Sequence, residues 1–107
     1  MRDGRTFIES LKDGREVWLD GQRVKDVTEH PHLRPSIDSI ARLYDMQAED
    51  AFRDTLTVKS PDTGGTIGRT FQIPRTRDDL AARRQATRAW METSFGFMGR
   101  APDFLNA

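Results

Sequence analysis

At 107 residues the chain is one small domain at most. Its 17 Lys+Arg balance 17 Asp+Glu, which excludes the basic excess that a general nucleic-acid or membrane-surface binder needs. With no cysteine, disulfides and thiolate metal sites are excluded as well, and a mean hydropathy of −0.72 is lean enough to suit a domain that completes its core against further chain or another subunit.

The N-terminus, "MRDGRTFIESL", puts charges where a signal peptide needs an apolar run. No stretch approaches the roughly 18 apolar residues of a membrane span, so no membrane association and a cytoplasmic location are expected. Residues 3–11 read as a short amphipathic helix, with Thr6 and Glu9 at capping-box spacing and Phe7, Ile8 and Leu11 as the apolar face. In "DGREVWLDGQRVKD", Val17 and Leu19 alternate with Trp18, and Asp20-Gly21 tolerates the positive φ angles of a type I′ turn. The stretch predicts a β-hairpin.

"VTEHPHLRPS" reads as a loop. His30 and His32 flank Pro31, but no third ligand lies at a useful spacing, so the pair predicts one packed and one exposed imidazole and no metal. Pro35 then opens a helix whose buried stripe is Ile37, Ile40, Ala41, Tyr44 and Ala48. Tyr44 is expected in the core rather than as a catalytic acid.

A helical turn over residues 51–54 leads to two strands, 56–60 and 66–73, joined by a glycine-rich turn. Gly64, Gly65 and Gly68 match neither phosphate-binding fingerprint, and no helix start follows them. Thr76 caps the longest helix, with Asp78 and Asp79 where the macrodipole favours negative charge. Ala82, Ala86, Ala89, Trp90, Thr93 and Phe97 form its apolar stripe, and Arg83, Arg84 and Arg88 its solvated face.

The chain closes on "FGFMGRAPDFLNA". Gly96 and Gly99 break the helix, Pro102-Asp103 starts another, and Phe104-Leu105 begin an apolar turn that stops at Ala107, which reads as a fragment boundary. Arg100, in a glycine-lined bend behind Phe97 and Met98, is the candidate functional residue. A guanidinium there is always charged and able to hold an oxyanion. Spacing alone favours the plainer role of capping the carbonyls at the helix end.

Three stretches change that balance: "FIESLKDGREVWLDGQRVKDVTEHP", "SIARLYDMQ" and "GFMGRAPDFLNA". In this order, over nearly the whole chain, they resemble the N-terminal region of the 4-hydroxyphenylacetate 3-monooxygenase family, the oxygenase components of two-component phenol hydroxylases. The resemblance implies a mainly α fold with small β-hairpins (α+β), the N-terminal helical domain of an acyl-CoA-dehydrogenase-like architecture, spanning residues 1–107. The β-barrel and C-terminal helical-bundle domains would be absent, and the full-length protein would be a homotetramer.

By the same resemblance, FAD arrives as FADH2 from a flavin reductase, reacts with molecular oxygen, and the C4a-hydroperoxyflavin hydroxylates a phenolic substrate. Arg100 matches the arginine of the family's G-R-x-P-D motif. It would favour the phenolate of a phenol whose pKa is about 10, and would hydrogen-bond the flavin peroxide. Many members carry a tyrosine four residues later, where this chain has Phe104, so Phe104 is expected as an aromatic pocket wall and not as a donor. The fragment alone is expected to be inactive.

Two other readings remain. The 4-hydroxybutyryl-CoA dehydratases share the fold and resemble "HPHLRPSI", but Phe95 and Gly99 stand where their cluster-binding cysteines would fall and cannot ligate iron. A non-enzymatic helical interaction domain would also suit the lean core and the alanine-rich helix.

Overall fold

The computed structural model describes residues 2–96, which form two compact units, residues 2–45 and residues from 46 onward. Together they carry four α-helices and two two-stranded antiparallel sheets, the α+β composition that the sequence predicts.

In the first unit, α1 (Gly4–Ser10) starts one residue later than expected and by a different device. Asp3, not Thr6, is the cap: its Oδ1 accepts the Thr6 N–H at 2.7 Å. Thr6 already lies inside the helix, and Glu9 instead pairs with Lys12 at 3.0 Å. Strands β1 (Val17–Leu19) and β2 (Gln22–Val24) pair with Val17 opposite Val24, Trp18 opposite Arg23 and Leu19 opposite Gln22. The turn between them has φ of 51° at Asp20 and 75° at Gly21, the two left-handed residues of a type I′ turn.

The histidine loop ends at the start of α2 (Arg34–Met46), where the His30 carbonyl accepts the N–H groups of Leu33 and Arg34 at 3.0 and 2.9 Å. His30 is half-buried and His32 exposed. Along α2, Ala41, Leu43 and Met46 are buried, while Ile37, Ile40 and Tyr44 are half-buried. Leu43 and Met46 were missing from the expected stripe. Ala48 leaves it because the helix stops at Met46, so the eleventh position on is no longer in phase and is exposed. Helices α1 and α2 meet through a stacked Phe7–Tyr44 pair, 5.1 Å between centroids, with the Arg2 guanidinium 5.7 and 5.8 Å from the two rings.

In the second unit, α3 (Asp50–Leu56) runs directly into β3 (Thr57–Lys59), which pairs with β4 (Thr66–Gly68). The second strand is shorter than predicted, ending at Gly68 rather than Ile73. Gly68 is buried, and a Cβ there would meet Gln47 Oε1 at 3.1 Å and the Phe71 ring at 3.3 Å. The chain instead turns through a 3-10 segment, Arg69–Phe71, held by the Arg69 side chain.

Helix α4 (Arg77–Thr93) begins with a complete capping box: Thr76 Oγ1 accepts the Asp79 N–H at 3.1 Å and Asp79 Oδ2 accepts the Thr76 N–H at 3.0 Å. Ala86 and Trp90 are buried on its inner face, with Ala82, Ala89 and Thr93 half-buried beside them. Arg84 and Arg88 face solvent as expected, whereas Arg83 lies half-buried at the edge of the inner face.

Candidate functional site

The residues that sequence singles out for chemistry, Arg100 and Phe104, lie outside the described residues, as does Phe97 of the predicted stripe. What the structure gives is the approach to them. After Thr93 the chain closes α4 with a left-handed bend: φ is 53° at Phe95 and 85° at Gly96, and the Gly96 N–H donates to the Met91 carbonyl at 2.7 Å. That bond is the long-range one of a Schellman cap. An orphan carbonyl at the end of α4 thus already has a backbone donor, which weakens the case for a side-chain cap from further along.

Arg69 is a functional side chain of the scaffold that sequence reasoning placed in a strand and passed over. Its guanidinium donates to the carbonyls of Asp54, Thr55 and Thr57, each at 2.9 Å. It also reaches Gln72 Oε1 at 3.4 Å. One side chain therefore closes the C-terminal end of α3 and ties it to the 3-10 turn. Gln72 in turn donates to Asp79 Oδ1 at 2.9 Å, linking that turn to the start of α4.

The displaced ionisations follow local caps and ion pairs. Hydrogen bonds from the Thr6 side chain and then its amide hold Asp3 below the usual carboxylate range, and those from Thr28 do the same for Asp26. Asp79 is lowered first by the Arg75 amide and then by Thr76. Asp13 lies far down because Arg15 forks onto it, at 2.8 and 2.7 Å. Lys12 and Arg88 are raised by Glu9 and Glu92. These are the marks of folded ends rather than of a proton-transfer pair.

Two open grooves occur in the first unit. One, of about 450 Å³, is lined by Leu19, Arg23, Asp26, Glu29, His30 and His32 among others. The second, of about 250 Å³, runs past Lys12, Arg15 and Asp26. Both are ringed by charges of mixed sign and hold no Phe, Tyr or Trp. A flavin ring asks for a flat, largely apolar cleft, and neither groove offers one. Among the described residues no group of three His, Asp or Glu side chains could hold a metal ion, and no helix is long and apolar enough to cross a membrane.

Residues 3–107 match the family described as 4-hydroxyphenylacetate 3-hydroxylase N terminal. The chain belongs to this family. It is 44% identical over 107 residues to the 4-hydroxyphenylacetate 3-monooxygenase oxygenase component of Geobacillus sp. (strain PA-9), covering 99% of this chain and 21% of that protein. Among solved structures, the oxygenase component complexed with FAD and 4-hydroxyphenylacetate superposes with a TM-score of 0.88 at 39% identity, over 99% of this chain and 22% of that one. An oxygen-tolerant archaeal 4-hydroxybutyryl-CoA dehydratase from N. maritimus is more distant, with a TM-score of 0.79 at 28% identity over 98% of this chain and 21% of that one. The chain therefore spans about a fifth of the length of the relatives it matches, and its fold is that of the N-terminal part of these larger, acyl-CoA-dehydrogenase-like proteins.

Proposed function

We propose that this chain is the N-terminal helical domain, residues 1–107, of a reduced-flavin-dependent monooxygenase that hydroxylates a phenolic substrate resembling 4-hydroxyphenylacetate. The observation that carries this reading is the match over residues 3–107, reinforced by the close superposition on an oxygenase that holds FAD and 4-hydroxyphenylacetate. Activity then requires polypeptide corresponding to the other four fifths of the relatives, where most of the flavin site belongs. FADH2 comes from a flavin reductase partner, and FAD supplies the activation of molecular oxygen. The assembled enzyme is a cytoplasmic homotetramer.

In this reading Arg100 is the substrate-binding and catalytic cation of the chain. A fixed guanidinium beside the phenol favours its phenolate, which makes the ring more electron-rich. Phe104 walls the pocket and supplies no proton, so a water or another group bonds the phenol oxygen. The dehydratase reading is disfavoured on ligand chemistry, because Phe95 and Gly99 stand where its cluster-binding cysteines would fall and neither can ligate iron.

The test is a chimera in which this chain replaces the N-terminal fifth of the Geobacillus relative, assayed with a flavin reductase and 4-hydroxyphenylacetate. Hydroxylation by the chimera, with Arg100→Ala lowering product formed per oxygen consumed at least about tenfold, is the expected result. A folded chimera that binds FAD but forms no product from any 4-substituted phenol overturns the reading. Coupling unchanged by Arg100→Ala removes that residue from it.

A further inference from the structure

Helix α4 carries two apolar stripes, and its own unit covers one of them. The covered stripe holds Ala86 and Trp90. About a third of a turn round the helix, Leu80, Thr87 and Met91 fall at i, i+7 and i+11, one above another. Leu80 is 57% exposed and Met91 42%. The Thr87 hydroxyl donates to the Arg83 carbonyl at 3.1 Å, so its hydrogen-bonding need is met within the helix. At the rise of an α-helix the strip is about 16 Å long.

Arg83 borders this strip on the side toward the covered stripe, and Arg84 borders it on the other. Arg83 is half-buried, yet neither guanidinium has an ion pair or a hydrogen bond among the described residues. The acids Asp78 and Glu92 lie on the opposite flank of α4. A second copy laid strip to strip would therefore set arginines against arginines with no carboxylate between them, which is repulsive. The larger source of cover is the polypeptide that the relatives carry and this chain does not, since the chain spans about a fifth of their length.

We propose that the Leu80–Thr87–Met91 strip docks the remaining four fifths of the polypeptide. The docked segment presents an apolar face rimmed by carboxylates that meet Arg83 and Arg84. An apolar centre inside a charged rim is the ordinary anatomy of such a contact. The inference rests on the reading of this chain as the N-terminal part of a larger enzyme, and it adds which face of that part the rest covers.

The chain has no cysteine, so a single introduced thiol reports burial at a chosen position. Leu80→Cys, Met91→Cys and, on the opposite flank, exposed Ala81→Cys are each made in the 107-residue chain and in its chimera with the rest of the Geobacillus relative. Labelling by N-ethylmaleimide is followed by mass spectrometry of the α4 peptide. In the chain alone all three should label at similar rates, whatever the protein concentration. In the chimera, positions 80 and 91 should slow at least about tenfold and position 81 less than about twofold. Adding Arg84→Glu to the Met91→Cys chimera should restore labelling at least about fivefold, because like charges then face each other.

If one variant chimera does not fold by circular dichroism, the other strip position decides. Unslowed labelling in a folded chimera, or equal slowing at position 81, overturns the proposal. Slowing in the chain alone that grows with concentration gives the strip to a second copy and overturns it too. Labelling indifferent to Arg84→Glu removes the carboxylate rim. A chimera protected at the strip but forming no product supports the docking and counts only against the flavin reading.

Discussion

The backbone N–H of Gly4 donates to Asp45 Oδ1 at 2.8 Å, and the same glycine lies so close to α2 that a Cβ on it would sit 2.6 Å from the Ala41 carbonyl oxygen. Helix α1 is thereby held flush against α2, and the Phe7–Tyr44 stack forms one turn further along. The absent side chain and the carboxylate act together: one allows the approach, the other satisfies an amide that α1 leaves unpaired at its N-terminus.

Gly4→Ala should therefore destabilise the chain by about 1–3 kcal/mol, since the Cβ meets backbone that cannot rotate away. Chemical denaturation followed by circular dichroism measures it. An unchanged midpoint would mean that α1 is not packed as described.

Arg69→Ala should cost about 2–4 kcal/mol, because three carbonyls lose charge-assisted bonds together. Arg69→Lys should recover only part of this, since an ammonium cannot span three acceptors that a planar fork reaches at once. Full rescue by lysine would reduce the role of Arg69 to its charge alone. The readout is again the denaturation midpoint, with hydrogen exchange of the α3 and β3 amides as the local probe.

How far the sequence revealed these devices depends on their range. Thr76 with Asp79, and Asp20-Gly21, act over two to four residues and are legible as spacing. The Gly4–Asp45 and Arg69 contacts join positions 41 and up to 15 residues apart, which periodicity does not see. The strand predicted to run through Ile73 failed for the same reason: β propensity was right locally, but Arg69 and the crowding at Gly68 turned the chain. The family was legible because long motifs in order survive where single contacts do not. Arg100 lies outside the described residues; glycine spacing suggested a bend there, and a role in chemistry came only from the resemblance.

Asp79 makes the start of α4 acid-sensitive. Hydrogen bonds from the Arg75 amide, Thr76 and Gln72 hold its folded pKa below the ordinary 3.8. A depressed carboxylate contributes stability above its unfolded pKa of about 3.9, and that contribution is lost as pH falls through the lower folded value. Asp79→Asn should thus be less stable than wild type at neutral pH, and the two should converge below about pH 4. Urea midpoints measured across that range check it, and parallel curves would show that Asp79 gains nothing from its ionised form.

Phe95 stands where helix caps ordinarily carry glycine. Its φ is 53°, and it is 99% exposed, so the left-handed backbone costs energy that no burial of the ring offsets. The left-handed conformation costs a residue with a Cβ roughly 1–2 kcal/mol, and glycine's extra freedom in the unfolded chain takes back a part. Phe95→Gly should accordingly stabilise the 107-residue chain by about 0.5–1 kcal/mol. Phe95→Ala keeps the Cβ and removes only an exposed ring, so it should leave stability nearly unchanged. Thermal melts of the two variants beside the wild type separate the effects. A loss of stability in both would mean that the ring is packed against something in solution, and the bend that leads toward Arg100 would then be held by Phe95 rather than strained by it.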